Sequence, residues 1–360
     1  MGAVAVSDIL LSGPRCQRPQ EQDDNHSGRK LELHSVSSVP GDLVPQHGSL
    51  ERHKRSEEHD ISDPGVMAIR VGISRGSWQI CSHNVGLFRR ILKNVQHSDH
   101  DRYVLDGNAM GMTAAEGFKR RKPVAFGQPD SVVVSIGYPL TNAVYDMVNR
   151  FVDYKPPFPD SQKSPGADPF QGSPSAADPF LDFIGNALRP WLHGSVFPNV
   201  KFTRDALFGH SFGGLLVTYA LVSRPEMFDT YLAASPALEV QNNSILAEVT
   251  ARLGTGNLAS SAYYASTKCN AASSLPALMI TYGSVEEFPA RRRTENETAF
   301  QTRKKYFRPL GMTEHCHDLF DSVKASGKVR DVVLKEYVGQ DHAGVAASAI
   351  TDGIDYFVDW

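Results

Sequence analysis

From residue 103 onward, short apolar runs alternate with segments whose apolar residues recur at helical spacing. Residues 131–137, Ser-Val-Val-Val-Ser-Ile-Gly, are the clearest run. They are β-branched and bounded by turn residues, which suits a parallel strand covered on both faces. Residues 103–105, 205–208, 231–234, 277–283 and 331–338 read as further strands. Residues 112–118, 243–253, 297–306 and 312–326 read as helices. So does the stretch in which Leu215, Leu216, Tyr219, Ala220 and Val222 repeat before Pro225, and a closing one with Val345, Ile350, Ile354 and Phe357 on one face. Residues 181–192 read as a helix broken at Pro190. Such alternation predicts an α/β fold, a sandwich with a mostly parallel central sheet and helices on both faces. Catalytic residues then belong in loops at the carboxyl ends of the strands.

Upstream the pattern weakens. Residues 1–65 are polar and irregular and predict an unpacked tail ahead of one catalytic domain over 66–360. Residues 68–73 alternate as a short strand would. Val85, Phe88, Ile91, Leu92 and Val95 line a helical face, and residues 97–102 read as a polar loop before the strand at Tyr103. Residues 155–179 are rich in Pro, Ser, Asp and Gly, too long for an ordinary connection. They read either as a mobile flap near the active site or as a plain insertion.

Composition narrows the function classes. The 360 residues, 41% apolar, can bury a full-sized core, and 37 basic against 40 acidic residues give no electrostatic reason to expect nucleic acid or an anionic membrane. No apolar run reaches the ~18 residues of a membrane span. The four cysteines lie far apart without metal or disulfide spacing, and Ser7-Asp8 interrupts the apolar N-terminus, so a cytoplasmic location is expected.

Candidate chemistry centres on residues 209–213, Gly-His-Ser-Phe-Gly, which fit the G-x-S-x-G turn that holds a reactive serine between a strand and a helix. Ser211 is the expected nucleophile. A serine hydroxyl needs a base, and only His315, His317 and His342 follow Ser211, the order this fold requires. The first two sit inside an expected amphipathic helix, where solvation explains them. His342 lies in a glycine-bounded loop and is the expected base. The acid that orients it is expected at the end of the 277–283 strand, Glu286 first and Glu287 as the alternative; the competing reading makes both solvated charges answering Arg291, Arg292 and Arg293. Asp341 reads as a turn residue. The oxyanion donors are expected to be the backbone amide of Phe212 and, from the Asp106-Gly107-Asn108 loop, that of Asn108 or a neighbour. Arg150 and His210 are candidate substrate contacts, although an isolated surface arginine needs no special explanation. His315-Cys316-His317 has ligand-type residues, but consecutive helical positions diverge, so no metal and no cofactor are expected.

These residues carry a resemblance. Leu105-Asp106-Gly107-Asn108, Ile136-Gly137-Tyr138-Pro139, Arg150-Phe151-Val152-Asp153-Tyr154, the segment 207–214, Ala234-Ser235-Pro236, Gly283-Ser284-Val285-Glu286 and Asp341-His342 together resemble the putative-esterase family of α/β-hydrolases, in its siderophore-esterase branch. The likeness covers roughly residues 103 to 360 and implies ester hydrolysis through Ser211 and His342. It leaves the acid open, since some relatives work with a Ser-His dyad. It further implies a small-molecule ester as partner, an enterobactin- or fusarinine-type siderophore or its iron complex. A general carboxylesterase or thioesterase of S-formylglutathione hydrolase type, and a non-catalytic hydrolase-like protein, are the alternatives. Residues 66–100 depart from the family pattern, in which a pair of N-terminal strands precedes the Leu-Asp-Gly segment.

Overall fold

The computed structural model describes residues 67–74, 77–83, 98–121, 123–140, 142–157, 174–254 and 275–359. The expected N-terminal tail, the expected helix over 85–95 and most of the 155–179 segment lie outside them. The described elements follow one another as β1 (Met67–Ser74), β2 (Ser77–His83), β3 (Ser98–Val104), α1 (Gly107–Arg121), β4 (Ser131–Gly137), α2 (Asn149–Tyr154), α3 (Ala177–Phe183), α4 (Arg189–Trp191), β5 (Lys201–His210), α5 (Phe212–Ser223), β6 (Thr230–Ala234), α6 (Val240–Gly254), β7 (Ala277–Gly283), α7 (Glu297–Phe307), α8 (Met312–Ser326), β8 (Asp331–Tyr337) and α9 (His342–Val358).

The eight strands form one sheet in the order β2-β1-β4-β3-β5-β6-β7-β8, antiparallel only between β1 and β2. Each apolar strand sends alternate residues to opposite faces, as a period of two requires. Tyr103, Val134, Leu207, Tyr231 and Leu278 enter one core with α5, α6 and α8. Val104, Val133, Phe208, Leu232 and Met279 enter the other, under α1 and α9. Because β3 to β8 are mutually parallel, their carboxyl ends share one edge, and every candidate catalytic loop leaves from that edge.

Of the polar loop expected over 97–102, residues 98–102 are instead strand: β3 begins at Ser98 and pairs with β4 and β5. Its polar sequence conceals a buried strand. Asp101 is fully buried, its Oδ2 accepting from Tyr103 Oη at 2.9 Å and lying 2.9 Å from His193 Nε2. Within the span 66–100, β1 and β2 form an antiparallel pair at the sheet edge, with β1 alongside β4.

The helix expected to break at Pro190 instead continues. Its hydrogen bonding widens to π-type turns at Ile184–Leu188 and Leu192–Val196, on either side of the short α4 that contains the proline. A wider turn absorbs the missing proline N–H without ending the helix. Arg189 and His193 are thereby brought under the sheet, where Arg189 Nη2 pairs with Asp205 Oδ2 at 2.9 Å. On α8, Met312, Cys316, Leu319 and Val323 form the buried stripe. Gln241, Asn242 and Asn243 have positive φ, so the regular part of α6 follows them.

Arg102 is the costly residue of β3. It is fully buried, donates one hydrogen bond through Nη1 to the Ile350 carbonyl at 3.2 Å, and leaves Nε and Nη2 without partners. Its guanidinium lies over the rings of Phe118 and Phe208, and burial pushes its pKa down to about 9. Burying an unpaired charge costs more than one neutral acceptor returns. Arg102→Met is therefore expected to leave stability in a chemical-denaturation experiment unchanged or to raise it by about 1–2 kcal/mol. A loss beyond about 2 kcal/mol would show that the carbonyl bond and ring contacts dominate.

Candidate active site

β5 ends at His210 and α5 begins at Phe212, so a single residue makes the turn. That residue is Ser211, held at φ 60° and ψ −118°, a conformation L-residues rarely adopt. Its N–H donates to the Ala234 carbonyl at 2.9 Å, and its own carbonyl accepts from Leu215 and Ala237. Strand and helix cross so closely that a Cβ on Gly209 would lie 2.2 Å from the Gly213 carbonyl oxygen, which requires glycine at 209. Gly213 is less constrained, its nearest such contact being 3.5 Å, whereas a Cβ on Gly214 would meet Pro236 Cα at 2.9 Å. The tight packing on the helix side is one residue later than the motif implies.

His342 is the first residue of α9, not part of an open loop. Asp341 caps that helix, its Oδ1 accepting from the Gly344 N–H at 3.1 Å. The His342 ring is 40% exposed, and its Nδ1 stands 2.5 Å from Glu286 Oε2. Glu286 is buried just beyond β7. Its other oxygen accepts from Ser235 Oγ at 2.7 Å and from the Gly283 N–H at 2.6 Å. With Nδ1–H directed at a carboxylate, Nε2 is the nitrogen free to take a proton.

The alternative acid sits differently. Glu287 Oε2 accepts the Thr313 N–H at 2.8 Å in the first turn of α8. Neither glutamate is a solvated loop charge, since both are buried. Arg291 and Arg292 pair instead with Glu297 and Asp341.

The two candidate substrate contacts also lie deeper than the sequence suggests. Arg150 is 3% exposed, with Nε 2.9 Å from Asp106 Oδ1 and Nη2 2.8 Å from Asp106 Oδ2. His210 is buried beneath His342, the rings 4.5 Å apart, and its Nε2 lies 2.8 Å from the His342 carbonyl oxygen. Burial first, then the neighbouring His342, pushes the His210 pKa down to about 3, so this ring is a neutral prop.

Asn108 stands second in α1, with Phe212 opening α5; helix geometry leaves first-turn amides such as theirs without intrahelical acceptors. The Asn108 side chain is committed to the backbone of Tyr138, Oδ1 accepting its N–H at 2.8 Å and Nδ2 donating to its carbonyl at 2.9 Å. Only the backbone at this position is available to a ligand. His315, Cys316 and His317 diverge: the first meets Asn243, the second is buried against Met312, and the third meets Tyr282. Among the described residues, no group of three His, Cys, Asp or Glu side chains could hold a metal ion, and no helix is long and apolar enough to cross a membrane.

Sequence reasoning did not find Ser235, which anchors Glu286, or Asp106, which anchors Arg150. Ser235 follows β6 directly and Asp106 stands two residues beyond β3, and Asp106 and Ser235 share positive φ values of 50° and 39°. Position at the carboxyl edge was the available signal for each.

A model of the family described as "Putative esterase" matches residues 157–319, a span that includes Ser211 and Glu286 and ends before His342. The chain is 36% identical over 258 residues to a siderophore enterobactin esterase of Emericella nidulans, covering 70% of this chain and 80% of that protein. It is 34% identical over 259 residues to a siderophore triacetylfusarinine C esterase of Aspergillus fumigatus, covering 72% and 81%. The solved structure of the siderophore hydrolase EstA from Aspergillus nidulans superposes with a TM-score of 0.64 at 36% identity, over 73% of this chain and 83% of the other. The fold is that of an α/β-hydrolase.

The neutral state of His210 has a stability consequence. The unfolded histidine protonates near pH ~6.5, the folded one only near 3, so its contribution is complete above ~6.5 and is lost as pH falls. His100, pushed down to about 4 by burial, acts in the same sense. Between pH 6.5 and 4 the unfolding free energy should fall, and His210→Asn should lessen the slope by up to about 1.4 kcal/mol per pH unit. Denaturant titrations of both proteins across that range measure it; equal slopes would mean that His210 is charged in the fold.

Proposed function

The chain belongs to the "Putative esterase" family of α/β-hydrolases, in its siderophore-esterase branch, and from that premise we propose that it cleaves siderophore esters through an acyl-serine and so helps release iron. It is a carboxylic ester hydrolase, which removes the non-catalytic alternative. The carrying observation is the buried carboxylate of Glu286 bonded to His342 Nδ1, on the sheet edge that also presents the strained Ser211.

In this reading His342 Nε2 takes the Ser211 proton as Oγ attacks the ester carbonyl, while Glu286 stabilises the imidazolium. Charge on the tetrahedral oxygen falls to backbone amides at the start of α5, at Phe212, and of α1, at Asn108 or its neighbour. His342 then passes its proton to the leaving alcohol. In the second half it activates water against the acyl-serine, regenerating the hydroxyl. Glu287 supports α8. The Glu286–His342 bond favours a complete triad over a Ser-His dyad.

The siderophore as substrate is supported by the two fungal relatives. It is also supported by the loops beyond β4, β7 and β8, which expose the apolar side chains of Val144, Met147, Val148, Phe288 and Val338 on segments that leave the same sheet edge. Iron release rests on the family resemblance, and a cytoplasmic place of action on the cysteine spacing and the interrupted apolar N-terminus.

Ser211→Ala and His342→Ala are expected to lower kcat by about 10⁴-fold or more, with loss of fluorophosphonate labelling at Ser211. Glu286→Gln is expected to cost about 10²–10⁴-fold, and Glu287→Gln mainly about 1 kcal/mol of stability, the worth of a helix cap. Purified protein given triester siderophores, iron-loaded and iron-free, and p-nitrophenyl esters is expected to open the siderophores. Turnover of small esters alone would leave a general carboxylesterase.

A further inference from the structure

Asp106 is the residue immediately before α1, and its carbonyl opens the helix by accepting from Ala109 and Met110. An aspartate at such a position ordinarily turns its carboxylate onto the second or third amide of its own helix. This protein does so elsewhere. Asp341 has φ −93° and caps α9, and Asn296 has φ −75° and caps α7 by accepting the Ala299 N–H at 2.8 Å.

Asp106 differs. Its φ is 50°, and its two carboxylate oxygens receive the Arg150 fork at 2.9 and 2.8 Å. The carboxylate lies toward the elbow: Oδ2 would stand 3.5 Å from a Cβ on Gly213. The Asp106 N–H donates to Tyr154 Oη at 3.2 Å, which secures the unusual backbone. Arg150 itself is fixed, buried among the rings of Tyr145, Tyr154 and Phe212 at 5.4 to 5.6 Å from their centroids, with Nη2 3.5 Å from the His210 carbonyl oxygen.

We propose that Arg150 is a positioning residue that holds the Asp106 carboxylate off the N-terminus of α1, keeping the amides there open to the developing oxyanion. This rests on the reading that those amides receive that charge. A buried carboxylate deprived of Arg150 needs other donors, and rotation to the ordinary capping conformation offers it the first-turn amides of α1, of which those of Ala109 and Met110 already donate to the Asp106 carbonyl. The helix then caps itself and the oxyanion loses a donor. Arg150 needs no contact with substrate to act in this way.

The test uses the full chain with p-nitrophenyl acetate, circular dichroism reporting the fold. Arg150→Gln is expected to lower kcat about 10²–10³-fold, the worth of an oxyanion donor, with KM within about threefold and the pH profile of kcat/KM unchanged. The double variant Arg150→Gln/Asp106→Gly removes the carboxylate that would close the site, and glycine accepts the positive φ. It is expected to recover at least about tenfold of the lost kcat. A rise in KM at constant kcat would make Arg150 a substrate contact, and wild-type kcat in the single variant, or no recovery in the double, would overturn the proposal. Should Arg150→Gln fail to fold, the double variant decides alone: kcat within about tenfold of wild type supports the proposal and a loss of about 10³-fold overturns it. Failure of the acyl-serine reading would look different, since Ser211→Ala would then stay active and the wild type would resist fluorophosphonate.

Discussion

The crossing of β5 and α5 is the constraint on which the site depends. One residue must reverse the chain from an extended strand into a helix, with Gly209 and the Gly213 carbonyl nearly in contact. Only a strained backbone at Ser211 satisfies both, and that strain sets the hydroxyl where the parallel sheet ends. The surrounding packing over-determines it: the Ser211 N–H is tied to β6 through Ala234, and Gly214 lies against Pro236. Glu286, the proposed acid, is anchored to the same place, because Ser235, next along from Ala234, donates to it.

Where chemistry and hydrophobic period agreed, the sequence was readable. Residues 131–137 and 277–283 have the bounds expected of them, and the elbow lies between the strand and helix its letters require. What escaped was governed by partners distant in sequence. Asp101 and Arg102 make β3 look like a loop, yet both are buried because His193 and Ile350 come back to meet them. Nothing local distinguishes Glu286 from Glu287; the difference is made by which of them faces α9 and which α8. Pro190 was read by its usual rule, and the helix evaded the rule by widening its turns.

Polar burial in this protein follows a division of labour. At the carboxyl edge buried charges are paired and hydrogen-bonded, Arg150 with Asp106 and Glu286 with His342. On the proposed mechanism, that pre-orients groups whose alignment sets the rate. Deeper in the sheet, under α9, Arg102 has a single carbonyl acceptor. The arrangement matches the expectation that fully satisfied polar networks specify geometry, while a half-satisfied group only subtracts from stability.

The order of the proposed catalytic groups along the chain carries its own consequence. His210 and His342 are in contact although 132 residues apart, and His342, the proposed base, arrives on α9, which seals one core with Val345, Ile350, Ile354 and Phe357. During synthesis the elbow can form long before its base exists. On the proposed mechanism, a nascent chain that ends before α9 carries the serine without the means to ionise it. On that mechanism, esterase turnover reports that the last helix has docked.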